Sequence, residues 1–406
     1  MGLLNKTYEQ FLALQSAGIQ LGLERIHSFM EHLGNPQHRA PQTLCITGTN
    51  GKGSVASMVS AAATAAGRRV GLFTSPHLVS VTERFRLNDQ DMAWEAFDRI
   101  GQRVLDEMER SGIPLSFFES MTAIALTWFA EQNVDLQIVE VGLGGARDAT
   151  AVCNPTHSVL TGVSLDHVDV LGPTLRHIAE EKLALCRRAP EGVYALPPRL
   201  HDLCPPGVLL GRDLQYRSRR DGLRVRVQGQ EPWFLPQPSL PGTHQHRNAA
   251  MASAIGNQLG LPLDAIQHGV AHARWPGRLQ RLSDDPVVWL DGAHNPAAIA
   301  ALIRNFSALG LSPGFSLVFG AGTRKDVRAM AQRLGAHAGA IWCTTAPRLL
   351  PADEVVSYFE GLSAPVEAQP DPAMALQAAR DRGAPVLIVG SLYLAGAILA
   401  SEQSFS

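Results

Sequence analysis

The chain has 406 residues, 45% of them hydrophobic and 18% charged, with a formal net charge of −2. That length suits two domains of unequal size, and the composition excludes wholesale disorder. A near-neutral chain has no electrostatic footing for nucleic acid, and no run of about twenty apolar residues offers itself to a membrane.

Met1-Gly2-Leu3-Leu4-Asn5-Lys6 lacks the basic-then-apolar order of a secretory signal, so a cytoplasmic location is expected. Leu12, Leu14, Ile19, Leu21, Leu23, Ile26, Phe29, Met30 and Leu33 predict helix through the first forty residues, stopped by Gly34-Asn35-Pro36. From Thr43 onward strands and helices alternate. Apolar runs at 44–47, 70–73, 136–141 and 159–163 predict strands, and 93–110 and 121–131 predict helices between them. Such alternation belongs to an α/β fold with a mostly parallel sheet. From about Arg187 to Pro241 prolines and arginines cluster, and residues 223–227 alternate like a half-exposed strand. A solvated edge of a small antiparallel sheet is expected there, with an anionic partner as the alternative. Helix resumes near 245–259, and Arg274-Trp275-Pro276-Gly277-Arg278 then breaks the pattern. The expected division is a domain of residues 1–274, a linker of 275–279 and a smaller Rossmann-like domain of 280–406. Strands of the latter are expected at 287–290, 316–319, 340–344 and 385–389. The five cysteines (Cys45, Cys153, Cys186, Cys204 and Cys343) are scattered and never form C-x-x-C, which favours reduced thiols over a metal site.

The tract with the most chemistry is Gly48-Thr49-Asn50-Gly51-Lys52-Gly53-Ser54, lying between a predicted strand and an alanine-rich helix. Strand, glycine turn and helix is the arrangement in which backbone N–H groups and a helix N-terminus converge on phosphate. Lys52 supplies a cation for terminal phosphates, and Ser54 or Thr49 is suited to reach magnesium. The spacing departs from the standard P-loop, since Gly53 separates lysine from serine.

Ligands of open α/β sheets collect at the carboxyl ends of strands. Ser75-Pro76-His77, Glu140 with Gly142-Leu143-Gly144-Gly145, and Asp166-His167 all fall at that edge. Each has a plainer reading: Ser75 as a helix cap, Glu140 as an edge carboxylate, His167 as a turn residue. Together, beside a phosphate loop, they form an oxygen and imidazole set for a divalent cation. Lys182 follows two carboxylates on a helix starting near Pro173. In the second domain Asp291-Gly292-Ala293-His294-Asn295-Pro296 is a tight βα turn with an acid and an imidazole, and Thr323-Arg324-Lys325-Asp326 and Gly390-Ser391 line the same edge.

These residues resemble the Mur-ligase superfamily, most closely its folylpolyglutamate synthase/dihydrofolate synthase family. The matching tracts, in the family's order, include Leu21-Gly22-Leu23-Glu24-Arg25, residues 48–54, Ser75-Pro76-His77-Leu78, Glu83-Arg84, Phe118-Glu119 and Glu140–Gly145. Asp148-Ala149-Thr150, Leu165-Asp166-His167, Glu181-Lys182, His244-Gln245 with Asn248, Pro276-Gly277-Arg278 and Asp291–Pro296 follow. The resemblance implies a P-loop ATPase domain with a mostly parallel sheet, followed by a smaller Rossmann-like ligase domain. It implies ATP held by Thr49, Asn50, Gly51, Lys52, Gly53, Ser54, Asn248 and Arg278. Ser54 and Ser75 would hold one magnesium ion, and Glu140 and His167 a second. Lys182 would be carbamylated, and Asp291 and His294 would act from the second domain. Arg84, Phe118, Asp148 and Ala149 would contact the substrate. The implied reaction joins L-glutamate to a folate-type acid through an acyl phosphate, by a monomer; a sister ligase acting on a non-folate acid is the alternative. Where the family pattern is Gly-Gly-Arg-Leu-Asp-Ala-Thr-Asn, this chain has Gly144-Gly145-Ala146-Arg147-Asp148-Ala149-Thr150-Ala151, and the usual Ala-Gly after the lysine is Leu183-Ala184.

Overall fold

A computed structural model of the chain describes residues 5–17, 22–311 and 313–403. The chain divides into two units: residues up to Ser164, Val168–Ser239 and His246–Arg274 form the first, and Leu165–His167, Leu240–Gln245 and the residues from Trp275 form the second.

Among the described residues the first unit has an eight-stranded sheet. Its strands are β1 (Gln42–Thr47), β2 (Val70–Phe73), β3 (Phe85–Leu87), β4 (Gln90–Asp91), β5 (Leu136–Glu140), β6 (His157–Leu160), β7 (Glu191–Tyr194) and β8 (Val208–Leu209). They lie in the order β4-β3-β2-β5-β1-β6-β7-β8, parallel except for β3 and β4 at one edge. β1 and β5 are buried almost end to end, Gln137 and Glu140 included, because helices cover both faces of a parallel sheet. The strand expected at 159–163 instead runs two residues earlier and ends at Leu160. Past it, Gly162 turns the chain at φ +145°, a conformation that excludes most side chains.

The helices are α1 (Lys6–Ala13), α2 (Glu24–His32), α3 (Lys52–Ala65), α4 (Trp94–Ser111), α5 (Phe117–Glu131), α6 (Val168–Leu171), α7 (Leu175–Cys186), α8 (His244–Gln258) and α9 (Leu263–His272). Of the helical positions expected near the N-terminus, Ile19 and Leu21 lie outside the described residues. Ile26, Phe29 and Met30 enter the main core beside Phe73, Phe97 and Phe129. α5 begins four residues before the expected 121 because Ser116 and Glu119 form a reciprocal capping box. α3 is built of small residues, which lets α9 approach closely. A Cβ added to Gly269 would lie 2.4 Å from the Met58 carbonyl oxygen.

The arginine-rich stretch forms an antiparallel sheet of β9 (Leu214–Ser218), β10 (Gly222–Val227) and β11 (Trp233–Pro236), ordered β11-β10-β9. Leu223, Val225 and Val227 are buried while Arg224 and Arg226 are exposed, which is the alternation seen in the sequence.

The second unit holds β12 (Gln280–Asp284), β13 (Val287–Asp291), β14 (Phe315–Phe319), β15 (Ala338–Cys343), β16 (Val366–Ala368) and β17 (Val386–Val389) in the order β12-β13-β17-β14-β15-β16. All pairs are parallel except the edge pair β12–β13. Its core of Leu317, Phe319, Ile341, Leu387 and Phe359 is fed by helices Pro296–Ile303 and Val327–Gly335. Among the described residues no helix is long and apolar enough to cross a membrane. The five cysteines are free thiols, and burial pushes those of Cys153, Cys186 and Cys343 up to about 12, which keeps them unreactive.

Candidate active site

In the first unit the chain leaves β1 at Thr47 and enters α3 at Lys52, so the glycine turn fills the gap between strand end and helix mouth. Gly48 has φ +141° and Gly51 φ +90°. A Cβ on Gly48 would lie 2.0 Å from Thr161 Oγ1, and one on Gly51 2.8 Å from Asn248 Oδ1. Neither position admits a side chain, so the backbone here stays bare and able to approach a phosphate. Neighbouring loops brace the turn. Thr49 N donates to Gly162 O (2.9 Å), Thr161 Oγ1 to Asn50 O (2.7 Å) and Ser164 N to Thr49 Oγ1 (3.1 Å).

Lys52 Nζ donates to Gly48 O at 3.2 Å and stands 3.8 Å from Glu140 Oε1. Glu140, at the end of β5, also accepts from Ser75 N at 3.2 Å. Lys52, Glu140 and Ser75 are thus brought together, as their strand-end positions implied. Ser54 is buried in the first turn of α3. Hydroxyl and carboxylate oxygens beside a phosphate cradle make a donor set that fits a hard divalent cation.

Beyond β5 the turn carrying Gly142–Ala149 packs on aromatic and helical neighbours. A Cβ on Gly142 would lie 2.6 Å from the Phe118 ring, and one on Gly145 2.4 Å from the Glu181 carbonyl oxygen. Asp148 accepts from Leu143 N (2.8 Å) and Thr150 N (3.0 Å). Burial raises its carboxyl above the usual range, although those hydrogen bonds work the other way. Asp148 therefore holds the turn, with buried Ala149 following it. Lys182 is buried on α7 against the same turn. The displaced arginine, Arg147, reaches Glu181 through two hydrogen bonds of 3.1 and 3.2 Å. Arg84 is buried, donates to His77 Nδ1 at 2.9 Å and lies 5.5 Å over the Phe117 ring.

The second unit gathers its own polar cluster at the ends of β13 and β14. Lys325 Nζ donates to Asp166 Oδ1 at 2.7 Å and lies 3.3 Å from His167 Nε2. Asn295 Nδ2 donates to Asp166 Oδ2 at 3.1 Å. Burial raises the Asp166 carboxyl, but Lys325 and its other neighbours outweigh that and leave it below the usual range. His294 Nδ1 donates to Gly292 O at 2.8 Å, so Nε2 is the lone-pair nitrogen. Burial, helped by the Lys325 charge, lowers that imidazole to about 4. Asp291 accepts from Leu279 N and Ala293 N, both at 2.8 Å, so its two oxygens serve the turn. Arg278 forms no ion pair among the described residues and lies beside Gly292. His167 belongs to this cluster, at φ +51°.

Sequence reasoning left several of these contacts unseen. In the sequence Asp166 and Lys325 are edge residues only, and nothing there pairs groups 159 positions apart. Thr161 and Arg247, whose guanidinium donates to the Thr161 carbonyl, gave no signal because they act on backbone. Among the described residues no group of three or more His, Cys, Asp or Glu is arranged to hold a metal by itself.

A P-loop unit followed by a second α/β unit with an acid-and-imidazole turn at its strand ends is the layout of a Mur-type ligase. The Mur ligase middle domain family matches residues 46–199, and the Mur ligase, glutamate ligase domain family matches residues 277–392. Folylpolyglutamate synthase of Lacticaseibacillus casei is 31% identical over 410 residues, covering 92% of each chain. A probable bifunctional folylpolyglutamate synthase/dihydropteroate synthase of Haloferax volcanii is 36% identical over 407 residues, covering 93% of this chain and 48% of that one. The chain thus spans about half the length of the haloarchaeal relatives it matches. Escherichia coli FolC in complex with DHPP and ADP superposes with a TM-score of 0.90 at 29% identity, covering 99% of both chains. The chain belongs to the folylpolyglutamate synthase/dihydrofolate synthase family of Mur ligases.

Proposed function

We propose that this chain is an ATP-dependent amide ligase that adds L-glutamate to a folate-type carboxylate, dihydropteroate, a folate or both. The observation that carries this reading is the bare glycine turn with Lys52 set between Gly48 O and Glu140, in a chain of this family. Support comes also from relatives solved with DHPP and ADP, and with Mn, AMPPNP and L-glutamate.

A carboxylate is a poor electrophile, so it must first gain a leaving group. Its oxygen attacks the γ-phosphorus of ATP, the bond to ADP breaks, and an acyl phosphate forms. The glutamate amine then attacks the acyl carbon, inorganic phosphate departs, and the nitrogen gives up a proton. Phosphoryl transfer needs mainly positioning and charge neutralisation. The turn at Thr49–Ser54 supplies backbone donors, Lys52 and Arg278 supply positive charge, and Asn248 borders the loop at Gly51. Ser54, Ser75 and Glu140 would hold a magnesium ion, which supplies further charge neutralisation at the phosphates. Lys182 is proposed to act as a carbamate: its neutral amine adds carbon dioxide and releases a proton, which turns a buried nitrogen into an oxygen ligand. His294, kept neutral at working pH, offers Nε2 as a proton acceptor. Phe118 and the Ala146–Ala151 turn form the proposed seat of a flat heterocycle.

The test is ADP release by the purified chain with dihydropteroate or a reduced folate as acid. Release that requires both the acid and glutamate supports the reading. Release indifferent to either would overturn it.

A further inference from the structure

We infer that Arg247 is a nucleotide-binding residue on the β6 side of the phosphate turn, its guanidinium pairing with the phosphates nearest the nucleoside. This role rests on the nucleotide reading given above, and Arg247 is not among the residues that carry that reading. It lies in the first turn of α8, one position before Asn248, whose side chain borders Gly51. Its guanidinium donates to the Thr161 carbonyl, and a Cβ on Gly162 would lie 2.5 Å from Nη2. Gly162 O in turn accepts from Thr49 N at 2.9 Å. The charge is therefore seated against the loop that braces the phosphate turn, where only a glycine leaves it room.

Its surroundings leave this charge uncompensated. A guanidinium has five N–H donors, and here one hydrogen bond, to Thr161 O, engages them. Nε is buried with no partner, and no carboxylate forms an ion pair with Arg247 among the described residues. Burial pulls the guanidinium below its ordinary range, and the Tyr216 hydroxyl is the group that works the other way. The first turn of a helix is also where a cation meets the positive end of the macrodipole. An anion held by the free donors relieves all of these costs. The sheet order selects the anion. The strands run β5-β1-β6, and the phosphate turn leaves β1. Lys52 leans to the β5 flank, 3.8 Å from Glu140, whose carboxylate also accepts from Ser75 N. Arg247 stands on the opposite flank, against Thr161 and Gly162. The proposed magnesium donors, and with them the terminal phosphate, belong to the β5 flank, which leaves Arg247 to the phosphates nearer the nucleoside.

The experiment compares the intact chain with Arg247→Met, which keeps the aliphatic stem, and Arg247→Lys, which keeps the charge; urea midpoints establish folding. Calorimetry with ADP and magnesium should show affinity lowered about tenfold or more in Arg247→Met, with part of the loss restored in Arg247→Lys. Added salt should weaken ADP binding less in Arg247→Met than in the original chain, since one charge contact is gone. In acid-dependent turnover, KM for ATP should rise by the same factor while kcat stays within about twofold, the mark of binding lost equally from ground and transition states. Unchanged ADP affinity in Arg247→Met overturns the inference. So does a kcat that falls while KM holds, which would make Arg247 a brace of the turn only. Calorimetry needs no acid, so ADP binding without acid-dependent turnover would defeat the ligase reading and still decide the role of Arg247.

Discussion

Lys52 has a negative neighbour in Glu140 at 3.8 Å and a carbonyl partner in Gly48, so its ammonium is held at the phosphate turn before any nucleotide arrives. Lys52→Ala should lower acid-dependent ADP release by roughly 10²- to 10³-fold while moving the urea midpoint little, since no core packing is lost. His294 gives a pH signature. Its folded value of about 4 lies below the ordinary 6.5, so the unfolded chain binds a proton that the folded ring refuses. The stability it contributes is complete above pH 6.5 and is lost as pH falls toward about 4. His157 and His246, also lowered by burial, add slope of the same sign, whereas Asp166 matters only below the usual carboxylate range. Urea midpoints at pH 7.5 and 5.5 should therefore differ less in His294→Gln than in the original chain; an equal difference removes His294 from this account. Lys182→Ala should lose activity and regain part of it with formate or acetate, and unimpaired activity would count against the carbamate. At this scale Lys52, Glu140 and Ser75 were legible because strand ends and glycine spacing place them. The Lys325–Asp166 pair was not, because only the folded chain brings those positions together.

The elements owe their boundaries to local chemistry that apolar periodicity alone does not register. α5 starts at Phe117 because Ser116 caps it and Glu119 reaches back, and Arg25 then grips both Glu119 oxygens at 3.0 and 3.1 Å. Ser116→Ala should cost about 1 kcal/mol, seen as a lower urea midpoint at unchanged slope. The phosphate turn is less tolerant. Gly48→Ala meets both an unfavourable φ and the Thr161 hydroxyl, so nucleotide binding by calorimetry should be lost even where folded protein is recovered. The long buried strands β1, β2 and β5 were readable as apolar runs. β3, β4 and β8, at two or three residues, are too short to carry a period, and β12, at an edge, has no fully buried residue.

For the whole molecule, the order of motifs along the chain carried the family, because glycine turns and strand-end acids are local features that a linear reading displays. The grouping of Leu165–His167 and Leu240–Gln245 with the second unit rests on contacts such as Thr243 N to Asn305 Oδ1 at 2.8 Å, which no linear reading displays. The proposed activity requires the acid's own oxygen to leave with phosphate. Its most direct test is to supply the folate-type acid with 18O in the reacting carboxyl, together with ATP and glutamate, and to analyse the inorganic phosphate formed. One 18O per phosphate is predicted, matched to the amide product. Phosphate free of label, in a reaction that still forms the amide, would contradict an acyl-phosphate ligase.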